Sequence, residues 1–177
     1  MLKSIKVNLE EIESMLYFWQ ATSEKERVAE QFLTDVAKMK GICASYDDEF
    51  NDESVRKVLS AITNNELLSK KTKKEGRFWN YNMWVMEDLE YTNMMVQPVK
   101  QLNLDSLVDE LKDMNSKYEE IEVRFSPLSL EDYIIKDNML VVNFFRVKPS
   151  DFDDNTFIDG KEIKEYIKEK LVELMNK

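Results

Sequence analysis

The sequence predicts an α+β protein: an N-terminal helical bundle followed by a small antiparallel β-sheet of about three strands flanked by helices. Three observations carry this. Before Pro98, apolar residues recur at helical spacing behind repeated capping signals. After it the period switches to two, with Ile121, Val123 and Phe125 alternating with Glu120, Glu122 and Arg124. Only three glycines and three prolines punctuate the 177 residues, which favours long helices and short connections.

The elements follow in order. Asn8 and Glu11 form an Asn-x-x-Glu capping pair ahead of Ile12, Leu16 and Trp19. Ser23 and Glu26 repeat it before a stripe of Val28, Ala29, Phe32, Leu33, Val36 and Ala37, and Gly41 supplies a C-terminal stop. Asn51 or Asp52 caps a third helix carrying Val55, Val58, Leu59 and Ile62, which Asn64-Asn65 ends. Thr72 and Glu75 cap a fourth, running on through residues 78–96. Phe78, Tyr81, Val85 and Leu89 make one apolar face of it, and Trp79, Met83, Met86 and Met94 a second. A helix apolar on two faces is central in its domain or meets another subunit, so Asn80 and Asn82 need buried partners or an edge position.

Pro98 marks the expected division between a helical subdomain, 1–102, and an α+β subdomain, 103–177, the alternative being one integrated domain. Asn103 or Asp105 opens a helix carrying Leu104, Leu107, Val108, Leu111 and Met114. After the alternating strand, Asp132 to Val147 reads as a hairpin turning at Asp137-Asn138, two residues that tolerate positive φ. Its second arm, from Met139, is apolar on both faces except at Asn143 and reads as an inner strand. A last helix over 161–175 carries Ile163, Tyr166, Ile167, Leu171 and Leu174.

Composition excludes much chemistry. There is no histidine and one cysteine, Cys43. Ser-His-Asp and Cys-His pairs, imidazole or thiolate zinc sites and iron–sulfur clusters are therefore ruled out, as is an internal disulfide. Scattered glycines build no dinucleotide or P-loop cradle. The net charge of −10 disfavours duplex nucleic acid. No apolar run reaches the ~20 residues that span a bilayer, and the acidic start does not read as a signal peptide. A cytoplasmic protein is expected.

Four stretches could carry a site. In "DFDDNTFIDGKE", Asp151, Asp153, Asn155, Phe157 through its carbonyl, Asp159 and Glu162 fall at the first, third, fifth, seventh, ninth and twelfth positions. With Ile158 at the eighth, the segment resembles an EF-hand calcium loop, which implies an oxygen cage for calcium. Thr156 stands where that family has glycine, and a strand rather than a helix precedes it. The other reading is a solvated turn followed by an Asp159-x-x-Glu162 capping box for the last helix. In "KKTKKEGRFW", Lys70, Lys71, Lys73, Lys74 and Arg77 beside Phe78 and Trp79 could hold an anionic ligand or single-stranded nucleic acid, or simply be solvated. "YDDEFNDE" clusters acids without ligand spacing. The aromatic and methionine side chains of 78–96 could line a pocket, or be core.

The function expected from these residues is that of a non-enzymatic protein-interaction or regulatory protein, with self-association through helix 78–96 and no cofactor. The alternatives are a calcium-binding protein using 151–162, and an enzyme holding magnesium with two or three carboxylates.

Overall fold

A computed structural model describes all residues, 1–177. Strand β1 (Ser4–Asn8) comes first, then helices α1 (Glu10–Ser23), α2 (Glu30–Ala37), α3 (Lys40–Cys43), α4 (Asp52–Thr63), α5 (Lys73–Glu87), α6 (Leu89–Lys100) and α7 (Asp105–Leu111). Strands β2 (Glu120–Ser126), β3 (Tyr133–Lys136) and β4 (Met139–Asn143) follow, then the short β5 (Lys148–Pro149), β6 (Thr156–Ile158) and β7 (Lys161–Glu162), and α8 (Ile163–Met175) closes the chain. The class is α+β, helices first and most strands after.

The sheet differs from the expected three antiparallel strands. It has four, in the order β1-β2-β4-β3, and is mixed: β1 runs parallel to β2 and β2 to β4, while β3 is antiparallel to β4. The added strand is the N-terminus, where Ile5 and Val7 alternate with polar residues, Ser4 lying opposite Glu120. The strand is short and pairs far away in sequence, so local patterning does not announce it. The hairpin forms as expected, with Asp137 at φ 53 in its two-residue turn and β4 buried along its length.

Alternation divides the sheet's faces. Ile5, Ile121, Val123, Phe125, Leu140 and Val142 join a core of 40 buried residues that runs from Leu2 to Met175, continuous across the 102/103 division. The opposite face carries Glu122, Arg124, Ser126, Met139 and Val141; the N-terminus of α1 and the short α3 lie against it.

Local signals fix several helix ends. Asn51 accepts from the Ser54 amide in a reciprocal capping box on α4, and Thr72 and Glu75 do the same on α5. Lys25 (φ 60) and Asn65 (φ 55) take the left-handed conformation, and the next residues, Glu26 and Glu66, donate to Ala21 and Ala61 five residues back. These are the hydrogen bonds of a left-handed helix stop. That stop puts Ser23 at the end of α1, not at the start of α2. Asn8 likewise ends β1, its Oδ1 accepting from the Glu10 amide, and the expected partner Glu11 turns inward. The predicted helix through 78–96 breaks at Asp88, whose ψ of 88° is not helical and whose carboxylate accepts from the Tyr91 amide to start α6.

Candidate functional site

The segment 151–162 belongs to a β-meander of β5, β6 and β7, with 151–155 as the loop between its first two strands. Ser150 donates through its amide to the Asn155 carbonyl, closing the β5–β6 connection, and Asp153 Oδ1 accepts from the Asn155 amide. Asp159 (φ 51) and Gly160 (φ 74) form the β6–β7 turn. Glu162 caps α8, accepting from the amides of Lys164 at 3.0 Å and Glu165 at 3.2 Å. The cap therefore sits three residues after the Asp159 of the expected box, because Asp159 is occupied in the turn. No group of three or more His, Cys, Asp or Glu side chains is placed to hold a metal ion here or elsewhere. Phe157 lies mid-strand, and Asp151, Asp153 and Asn155 belong to the exposed loop at the far end of β6 from Asp159.

The basic run is split by the helix it enters. Lys70, Lys71, Lys73 and Arg77 are exposed, and Lys71 folds back onto the Leu68 carbonyl. Lys74 is buried. Its Nζ donates to the Ser45 carbonyl (3.0 Å), Asp47 Oδ2 (2.8 Å) and Glu131 Oε2 (2.6 Å). Burial works against its charge, but the two carboxylates outweigh that and raise its pKa. Lys74 thus ties α5 to the acidic "YDDEFNDE" turn and to the loop before β3. Asp47 is held below its ordinary range by that hydrogen bond. The five cations do not form one patch.

A second buried cluster escaped the sequence reading. Glu11 is fully buried and accepts from Arg124 Nη1 (3.0 Å to each oxygen) and from the Gly41 amide (2.7 Å). Arg124 also reaches Glu10 (3.2 Å) and, through Nε, Glu122 (2.8 Å). Burial pushes Glu11 above its ordinary range although Arg124 draws it back. Burial also opposes the Arg124 charge, but three carboxylates more than compensate and hold its pKa up. Gly41 is needed for close approach: a Cβ there would stand 2.6 Å from Glu11 Oε2. Alternation marked Arg124 as solvent-facing. Only its place in the inner strand β2, with α1 and α3 over it, buries it.

The largest concavity, about 560 Å³, lies between the starts of α4 and α5 and has no hydrophobic lining. Five carboxylates edge it, but Lys57 neutralises Glu75 at 2.9 Å and the rest do not converge. The aromatic and methionine residues of 78–96 are mostly core or packed on it, as are Trp79, Met83 and Met86. Asn82 is buried, accepting from Trp19 Nε1 (2.9 Å) and donating to the Phe78 carbonyl (2.8 Å), while Asn80 is exposed.

What remains uncovered is an apolar strip along one side of α5 and α6. Trp84 is 43% exposed and Met94 48%. Trp84 packs edge-on against Tyr91, with ring centroids 6.2 Å apart, and Tyr91 stands one turn before Met94. Beyond Met94 a groove of about 460 Å³ runs between the last turns of α6 (Met94, Gln97, Pro98, Gln101) and the β5–β6 loop. At the loop's tip Phe152 is 96% exposed, while its amide is held by Ser150 Oγ.

Compared with known proteins, the chain matches no family model, and no curated protein or solved structure is similar enough to count as a relative.

Proposed function

We propose that this chain is a non-catalytic protein-interaction or regulatory protein whose working surface is the outer side of α5 and α6. The observation that carries this is the exposure of Trp84 and Met94 beside Tyr91, with Phe152 exposed on the loop that walls the groove at Met94. Aromatic and methionine side chains are what protein interfaces enrich, and a contiguous run of them in water is costly unless something covers it. The buried ionic clusters support the reading in a second way. Lys74 and Arg124 are saturated by carboxylates and cross-link elements, so they hold the scaffold rather than meet a substrate.

The test is site-specific photo-crosslinking in the cells that make the protein. A benzophenone side chain at position 84 or 94 should give a discrete protein adduct. The same probe at Leu67, 94% exposed on the α4–α5 connection, should not. Absence of adducts at 84 and 94, or an identical pattern at 67, refutes the reading.

A further inference from the structure

The groove beside Met94 carries features that specify what would fill it. Its acceptors outnumber its donors. Asp153 and Asp154 line one wall, and Asp151 stands beside them in the same loop. The other wall is α6, where Pro98 lies inside the helix. Proline has no N–H, so the Met94 carbonyl lacks the amide that would satisfy it one turn on. Gln97 and Gln101 line the same wall. Where α5 meets α6, beside Trp84 and Tyr91, three more acids are exposed: Glu87, Asp88 and Glu90. The exposed lysines nearest in sequence are Lys100 and Lys148. Exposed apolar side chains at Trp84, Met94 and Phe152 thus lie on the same elements as exposed carboxylates, α5 and α6 on one side and the β5–β6 loop on the other.

We infer that this surface takes an amphipathic, cationic segment of a protein partner: apolar residues on Trp84, Met94 and Phe152, and a lysine or arginine reaching into the groove towards Asp153 and Asp154. The inference rests on the proposed interaction role and names the partner's chemistry. Charge complementarity selects this occupant. A second copy related by a two-fold axis would set these same acids against each other. An anionic membrane or nucleic acid would be repelled by them. A guanidinium or ammonium group is the donor that paired carboxylates accept most strongly.

The probe is a fluorescein-labelled peptide of about 16 residues with leucine and lysine at helical spacing. Its comparison is the same peptide with glutamate for lysine, both at near-physiological salt. Anisotropy should report binding of the lysine peptide only, with a shift in tryptophan emission that is lost in Trp84→Leu. Gln97→Lys with Gln101→Lys, two exposed or half-exposed positions that leave the fold intact, should weaken binding about tenfold or more by filling the groove with cations. Asp153→Asn with Asp154→Asn should weaken it several-fold. Neutralising Glu49 and Glu53, which edge the separate polar cleft, should change it less than twofold. Equal loss with the Glu49/Glu53 pair, binding of the glutamate peptide, or no binding overturns the inference. So does a protein that sediments as a dimer through this groove, dissociated by Met94→Glu. Crosslinks at 84 and 94 without lysine-peptide binding would refute the partner chemistry alone; absence of crosslinks would refute the interaction role itself.

Discussion

Replacing Arg124 by methionine isolates the buried ion cluster. Methionine keeps much of the volume and removes the charge. Glu11, fully buried, then has no cation and keeps only the Gly41 amide. Stranding a buried carboxylate costs about 3–5 kcal/mol. At 2–4 °C per kcal/mol for a chain of this size, the melting temperature should fall by about 6–20 °C. The pH dependence gives a sharper signature. Because burial already raises the Glu11 pKa, its ionisation works against folding as pH rises through the folded value. Removing Arg124 removes the chief opposing influence, so this cost grows at neutral pH and is relieved by protonation. Glu122, which Arg124 helps to hold below its ordinary value of 4.5, acts in the same direction at lower pH: its contribution is intact from neutral pH down to about that value and is lost only as pH falls through the folded value. The Arg124→Met penalty should therefore shrink as pH falls from 7 towards 5 and Glu11 takes up its proton. Glu11→Gln in the Arg124→Met background should recover most of the loss, since the amide oxygen still accepts from Gly41. Urea melts at both pH values on the four proteins of this cycle measure it. Additive single effects with a penalty independent of pH would refute the argument.

Lys74→Met should cost less, about 1–2 kcal/mol in a denaturant melt, because Asp47 and Glu131 are partly exposed and recover water when the ammonium is removed. Since Asp47 is held below its ordinary value of 3.8, that part of the difference is present at neutral pH and fades as pH falls through the folded value. Glu162→Ala should cost about 1 kcal/mol through the lost cap, and calcium at about 1 mM should leave the melts of variant and wild type unmoved; a rise of several degrees in wild type alone would contradict this. Asp159→Ala should cost about 1 kcal/mol because Asp159 sits at φ 51, and Asp159→Gly, compared in the same urea melts, should not.

What the sequence discloses follows from the range of each interaction. Asn51, Thr72 and the Asp137 turn act within four residues, and each does what its type dictates. Strand β1 and the burial of Arg124 depend on partners more than a hundred residues away, which no local period records. Ser23 and Asn8 carry the right chemistry for caps but sit where the backbone does something else. The acids of 151–159 show how one spacing can fit two structures. Oxygens at every second position suit a calcium loop, but in the fold that spacing crosses three settings: an exposed loop at 151–155, the short strand β6 with Phe157 at its middle, and the turn at Asp159. Asp159-Gly160, a strong turn pair, sets the β6–β7 turn. The exposed strip at Trp84 and Met94 was hidden for the opposite reason. Its residues resemble those of the core, and only packing distinguishes the covered from the uncovered.

The placement of the first strand also constrains the order of synthesis. Ser4 finds its partner 116 residues later. Closing a loop of that length carries a length-dependent entropic cost of about 4 kcal/mol, to be met before any contact between the ends repays it. A ribosome must complete β2 before β1 has anything to pair with, so helices α1 to α7 emerge while the sheet that seats them does not yet exist. During that interval Ile5, Ile12 and Met15 have no Val123 or Phe125 to cover them. A nascent chain stopped at residue 102 would hold every helix of the first half and still lack the surface they close upon.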